Sequence, residues 1–237
     1  MIPILETVKV SAVNITHNEA KHIRHTLSRL YWCDEIIVVD SYSRDNTVAV
    51  RKEYKCTVYL KTFQGYGKQK QYGVSKASND WILSIDADEV LSEALSLEIY
   101  TELKKGPAYA GYQLPSSLVF SGQEFLYGKE TWRYQLRLFN KNHGHFTECT
   151  FGEKIVLEGR VCKFHHKMLR YGYQNLQQWE AKSSRRSALA ARQAFTRGRN
   201  TPLLLNAYRH FSKHLKIREL FASELRGRVL TTPPIAA

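Results

Sequence analysis

The stretch Trp81-Ile82-Leu83-Ser84-Ile85-Asp86-Ala87-Asp88-Glu89 is an apolar run that ends in carboxylates. Read as a strand, it buries Ile82 and Leu83 and presents Asp86 and Asp88 at its tip. The period of two along an extended chain puts both acids on one side. Like charges that close repel unless a cation lies between them. Hard divalent ions such as Mg2+ or Mn2+ take carboxylate oxygens and share them with substrate phosphates. The Asp-x-Asp pair is therefore a candidate metal site for a diphosphate. A solvated acidic turn, or a helix cap at Asp88, is the alternative that these residues alone leave open.

The preceding chain sets this strand in a repeating pattern. Val8 to Val13 reads as a first strand, and Asn18 as the cap of a helix from about Glu19 to Tyr31, with Ile23, Leu27 and Leu30 on one face. Glu35-Ile36-Ile37-Val38-Val39-Asp40 is apolar between its ends, as a buried parallel strand should be. A short helix over 46–54, a strand at Thr57-Val58-Tyr59-Leu60 and a helix over 67–79 follow. This alternation predicts an α/β fold with a parallel sheet. Ligands of such sheets bind beyond the carboxyl ends of the strands, where Asp40, Asp86 and Asp88 fall. A further helix is expected over Leu91–Leu103, broken at Gly106-Pro107, then strands and loops over 109–158. Helical patterns return from Leu176 to about Arg197 and from Leu203 to Val229.

The net charge is +13, and its placement is informative. Residues 1–159 balance 19 Lys and Arg against 19 Asp and Glu, so the whole excess lies in 160–237. A segment of that kind seeks anionic headgroups, nucleic acid or a phosphorylated substrate. No zinc-finger, RNA-recognition or Gly-rich phosphate signature accompanies it, so no specific nucleic-acid partner is expected. Cys33, Cys56, Cys149 and Cys162 have no C-x-x-C spacing and read as free thiols of a reducing cytosol. Met1 to Val10 carries Glu6 and no long apolar core, so no signal peptide is expected. The apolar runs are too short to span a bilayer, which leaves peripheral membrane contact.

Four blocks occur together in order: Glu35–Ser41, Gly65-Tyr66-Gly67-Lys68-Gln69-Lys70, Trp81–Glu89 and Gln135-Leu136-Arg137-Leu138-Phe139. Together they resemble glycosyltransferase family 2, with its GT-A fold, and most of all the bacterial lipopolysaccharide-core glucosyltransferases. The resemblance is close over residues 8–160 and looser beyond. It implies a Rossmann-like, nucleotide-sugar-binding mixed sheet flanked by helices, with a basic helical C-terminal segment. The implied division is a catalytic domain over 1–160, binding nucleotide-sugar up to about 105 and acceptor over 106–160, followed by a basic docking region over 161–237.

The implied activity is inverting transfer of a sugar, glucose from UDP-glucose, with Mg2+ or Mn2+. Asp88 is then the main metal ligand, and Asp86 contacts the ion or the ribose. Asp40 lies near the uracil or ribose, Ile15, Asn18 and Glu19 line the nucleotide pocket, and Lys68 meets the uridine or phosphates. Arg137 orients the metal carboxylates or the diphosphate, or braces a loop. The family's Val-His-Glu element matches Thr150-Phe151-Gly152-Glu153-Lys154 here, which makes Glu153 the candidate general base and Glu148 the reserve. The implied partners are a UDP-sugar, a lipid-linked or phosphorylated glycan acceptor, and an anionic membrane surface met by 176–228 at the inner face of the cytoplasmic membrane.

The chain also departs from the family. Gly152 replaces a usual histidine, Arg133 a common aspartate, and Gly128-Lys129-Glu130 a usual Gly-Gly-Trp. These changes surround the acceptor side and motivate a competing reading, a relative that binds nucleotide-sugar without transferring it. Trp132, Tyr134 and Phe139 read as core, and the adjacent His165 and His166 as packing or acceptor contacts rather than a metal pair.

Overall fold

The apolar runs become the centre of one mixed sheet in the computed structural model, which describes residues 8–120, 122–124, 132–173 and 176–196. The first half of the chain runs β1 (Val10–Thr16), α1 (Ile23–Ser28), β2 (Glu35–Asp40), α2 (Val50–Tyr54), β3 (Thr57–Leu60), α3 (Tyr66–Lys76) and β4 (Trp81–Ser84). The second half runs β5 (Glu89–Leu91), α4 (Glu93–Lys104), β6 (Gly111–Phe120), β7 (Gln123–Glu124), β8 (Arg133–Asn140), β9 (Gly144–Phe146), β10 (Ile155–Leu157), β11 (Val161–Lys163), β12 (Met168–Tyr173) and α5 (Leu176–Thr196).

The sheet order is β3-β2-β1-β4-β8-β6-β12-β5. The first four strands are parallel, and β8 returns antiparallel to β4. β9 and β10 form a separate antiparallel pair. Both faces of the parallel half are covered, as its apolar strands require. Val38 faces one core layer with Ile23, Leu27, Leu95 and Ile99, and its neighbours Ile37 and Val39 face the other with Val74, Phe139 and Phe146. That alternation is the strand period seen in three dimensions.

Three sequence expectations change. Asn18 does not cap a helix: its φ is 55°, whereas an N-cap residue is typically extended. Its Oδ1 instead accepts the Arg44 N–H at 2.8 Å and its own N–H donates to Ser43 Oγ, so it ties two loops together. The helix accordingly starts late, at Ile23. Leu91 pairs in β5, and the following helix begins after Ser92, whose hydroxyl accepts the Leu95 N–H. The sheet also runs past the expected boundary at residue 160, because β11 and β12 both add to β6 in parallel. Among the described residues only α5 follows the sheet in sequence, and the expected helix over 203–229 lies outside the described residues.

Candidate active site

β4 ends at Ser84, and the next residues turn across the strand tips. Two bonds to β1 fix their course: Ile85 N–H donates to Val13 O, and the buried Asn14 side chain donates to Ile85 O at 2.8 Å. Asp86 therefore leaves the sheet at a determined point. Two cations meet it there. Lys70 Nζ, from α3, lies 2.9 Å from Oδ1, and Arg137 Nη2, from β8, lies 3.1 Å from Oδ2. Arg137 also pairs with Glu89, and Lys70 with Glu153 at 2.8 Å. The result is an alternating chain, Glu89–Arg137–Asp86–Lys70–Glu153. Lys70, Arg137 and Glu89 are buried, while Asp86 keeps 32% of its side chain in solvent.

The electrostatics follow from this order. Burial would raise the Asp86 carboxyl, but the Lys70 and Arg137 charges outweigh it and hold it well below the usual carboxylate range. Burial works against the Lys70 ammonium, and Asp86 and Glu153 overcome it, so Lys70 stays charged. Glu89 is pushed up by its burial, with Asp86 and Asp88 adding to the effect against Arg137.

Asp88 differs from Asp86. Its backbone is held, because its carbonyl accepts the Tyr171 N–H at 2.7 Å, but among the described residues its carboxylate makes no hydrogen bond or ion pair. Glu19 and His22 lie near enough to feel its charge. Among the described residues no three His, Cys, Asp or Glu side chains gather as a ready-made metal site. A Mg2+-like ion needs no such cage, since it is held by one or two carboxylates plus substrate phosphates. The residues fit that arrangement, with Asp88 as the available ligand and Asp86 already compensated by two cations.

The loop carrying Glu153 is seated on the first turn of α3. Tyr66 N–H donates to Thr150 O and Gly67 N–H to Cys149 O, both at 3.1 Å. The approach is so close that a Cβ on Gly67 would stand 1.9 Å from Thr147 O. The Gly65-x-Gly67 spacing thus brings Glu153 onto Lys70. Gly67→Ala is expected to destabilise the protein by roughly 2–3 kcal/mol, read as a lowered thermal midpoint, and to displace Glu153. Gly152 sits at φ +74°, a backbone region that few residues other than glycine adopt, with open space where a Cβ would point.

The other expected site residues are placed as follows. Asp40 ends β2, fully buried, with Oδ1 accepting the Ser43 N–H and Oδ2 the Ser43 hydroxyl; it shapes the turn beyond the strand. Ile15 is half-buried near the end of β1. Glu19 follows Asn18, and burial raises its carboxyl despite Lys182 on α5 at 3.7 Å. Lys68 and Glu148 line a separate surface hollow of about 300 Å³ with Lys61, Gln71 and Tyr72. Lys70, two residues after Lys68 and so about half a turn of the helix away, is one of the two cations at Asp86.

One further expectation changes at the periphery. Phe139 is core, but Trp132 and Tyr134 are exposed, with Lys167 and Lys163 over their rings. His165 and His166 share one partner: both Nδ1 atoms and both backbone N–H groups meet the Glu98 carboxylate, which locks the turn before β12 to α4. Burial would raise the Glu98 carboxyl, but its bonds to His166 and His165 outweigh that and hold it below the usual value, so its stabilising contribution is present at neutral pH and is lost as pH falls through the folded-state value. Glu98→Gln is therefore expected to lower the thermal midpoint at pH 7, with a deficit that shrinks below about pH 4, and thermal unfolding from pH 7 to 3.5 checks it. Among the described residues no helix is long and apolar enough to cross a membrane, and Cys33, Cys56, Cys149 and Cys162 are all free.

Comparison with known proteins places this geometry. Residues 11–156 match the model of glycosyl transferase family 2. An uncharacterized glycosyltransferase of Rickettsia felis is 28% identical over 93% of this chain and 83% of its own. The lipopolysaccharide core biosynthesis glycosyltransferase LpsC of Rhizobium meliloti is 30% identical over 68% of this chain and 61% of its own. Among solved structures, mannosyl-3-phosphoglycerate synthase of Rubrobacter xylanophilus superposes with a TM-score of 0.52 at 17% identity, covering 83% of this chain and 77% of that one. S. aureus TarS (residues 1–349) gives 0.51 at 12% identity, over 77% and 65%. The family's match spans the strands that carry Asp40, Asp86, Asp88 and Arg137 and the loop that carries Glu153, and the chain belongs to glycosyltransferase family 2, as a glycosyltransferase of the GT-A fold.

Proposed function

We propose that this glycosyltransferase moves glucose from UDP-glucose, with inversion, onto a lipid-linked glycan of the lipopolysaccharide-core type. The observation that carries the reading is the contrast at the strand tips: Asp86 is compensated by two buried cations, and the Asp88 carboxylate has no hydrogen bond or ion pair among the described residues. One carboxylate thus builds the site while the other is available to a ligand. The name of LpsC supports the acceptor class, and the four blocks in family order support the nucleotide-sugar.

The chemistry follows from the residues. A Mg2+ or Mn2+ held by Asp88 would screen the charge that the departing diphosphate gains. Glu153 offers one oxygen to Lys70 and keeps the other for the acceptor hydroxyl, whose proton it takes as the new glycosidic bond forms. Lys70 fixes that carboxylate in place, and Arg137 with Glu89 fixes Asp86. Asp40 contributes through the Ser41–Ser43 turn, beside which Asn18 and Glu19 border the nucleotide. The basic excess after residue 160 supports docking of the anionic acceptor or its membrane at the inner face of the cytoplasmic membrane.

Calorimetric titration of UDP and UDP-glucose, with Mn2+ and with chelator, tests the donor. Metal-dependent binding of both is the expected result. Absence of binding under both conditions would remove UDP-glucose as the donor.

A further inference from the structure

Helix α5 is tied both to Glu19 and to the loop that carries Glu153. At one side Lys182 Nζ donates to Gly172 O at 3.3 Å and lies 3.7 Å from Glu19, on the nucleotide side. At the other, Gln193 takes both backbone groups of Phe151: its Oε1 accepts the N–H at 2.8 Å and its Nε2 donates to the carbonyl at 3.0 Å. Phe151 lies two residues before Glu153. The anchors are eleven residues apart, close to three full turns, so they share one helix face. Arg186, one turn beyond Lys182, shares that face.

Arg186 is therefore aimed at the space between the nucleotide side and the acceptor loop. Its described partner is neutral: Nη1 donates to Tyr173 Oη at 3.2 Å, and among the described residues no carboxylate lies within ion-pair distance. Asp88, Asp86 and Tyr66 are near enough to favour its charge. Around them stand four carboxylates, Asp86, Asp88, Glu89 and Glu153, against two committed cations, Lys70 and Arg137. A diphosphate entering beside Asp88 adds more negative charge. A planar guanidinium with an unspent fork suits phosphate oxygens at such a place.

We propose that Arg186 binds the donor's diphosphate from α5, opposite Asp88, so that the helix closes the donor site with a cation of its own. The inference rests on the reading of the site as one for a nucleoside diphosphate sugar, and deepens it. Arg186 would gather charge from the leaving group as the sugar departs, while its Tyr173 bond holds the fork in position.

The test is calorimetric titration of UDP, GDP, CDP and ADP, with the corresponding monophosphates, into the full chain in the presence of Mn2+. For the preferred base, Arg186→Ala is expected to weaken the diphosphate by about tenfold or more while monophosphate affinity changes by less than about twofold. Arg186→Lys should recover part of the loss, and Arg185→Ala, which removes the same charge from another face, should match the wild type. Thermal midpoints confirm that each variant is folded. If the wild type binds a diphosphate and Arg186→Ala binds it equally well, or loses mono- and diphosphate alike, the inference is overturned and the reading of the site stands. If the wild type binds none of the four, both fall together.

Discussion

Asp88→Ala is expected to abolish sugar transfer, by about a thousandfold or more in turnover, while leaving the protein as stable as the wild type. The two halves of this expectation have separate causes. The Asp88 carboxylate makes no described bond within the protein, so its removal leaves no buried partner stranded. Yet it is the uncommitted acid at the strand tips, and a divalent ion on the diphosphate would depend on it. Asp86→Ala is the informative contrast. It strands Lys70 and Arg137 and should lower the thermal midpoint as well as activity. Transfer assays beside thermal unfolding of the two variants separate the roles. Equal loss of stability in both would show that Asp88 is structural. Retained transfer in Asp88→Ala would remove it from the metal site.

The elements that sequence pattern displayed best are those whose residues answer to a single demand. Glu35–Asp40 is apolar between its ends because both faces of β2 are covered, and its observed limits are those read from the chain. The Asp86-Ala87-Asp88 segment follows the strand as expected, but β4 ends at Ser84 and both acids lie in the turn beyond it, so the strand period does not govern where their side chains go. The residues that pattern misplaced answer to partners distant in sequence. Asn18 has the chemistry of a helix cap, but Arg44 and Ser43, some 25 residues on, hold it in a left-handed conformation. Trp132 and Tyr134 look like core until their neighbours prove to be lysines.

Lys70 is the most instructive of these. Its neighbour Lys68 lies in the same block, and nothing local distinguishes the two. The choice depends on which face of α3 lies under the sheet, and Gly67 and Gly73 carry that information. A Cβ on Gly67 would strike the 147–150 loop, and one on Gly73 would stand 2.4 Å from Val13. Both glycines mark the packed face, and Lys70, one turn from each, lies on that side of the helix. Close-approach glycines in a helix are thus a signal for the buried lysine that charge alone does not provide.

Lys70→Met should then combine a large stability effect with a large activity effect. The substitution keeps the length of the side chain and removes the cation between Asp86 and Glu153. Breaking a fully buried ion pair costs about 3–5 kcal/mol; Asp86 is partly exposed, so about 2–3 kcal/mol is expected here. For a chain of this length that is a fall of about 5–10 °C in thermal midpoint. The cost should depend on pH in a definite direction. The folded-state pKa of Asp86 is depressed, so its stabilising contribution is present above the unfolded value, near 4, and is lost as pH falls through the folded one. At neutral pH the variant lacks the cation that two carboxylates need. Below about pH 4 the Asp86 carboxyl takes up a proton in the unfolded chain while Lys70 and Arg137 keep it ionised in the folded wild type, so the advantage that its depressed pKa gives the wild type is progressively lost. The stability difference between wild type and Lys70→Met should therefore shrink as pH falls below about 4. Denaturant unfolding at pH 7 and pH 3.5 measures it. A difference that stays constant, or grows in acid, would mean that Lys70 contributes by packing rather than by its pairing with the two carboxylates. Activity separates the same two possibilities: with the charge gone, Glu153 is free to leave the acceptor side and turnover should fall steeply, whereas Lys70→Arg, which keeps a cation at that place, should retain more of it.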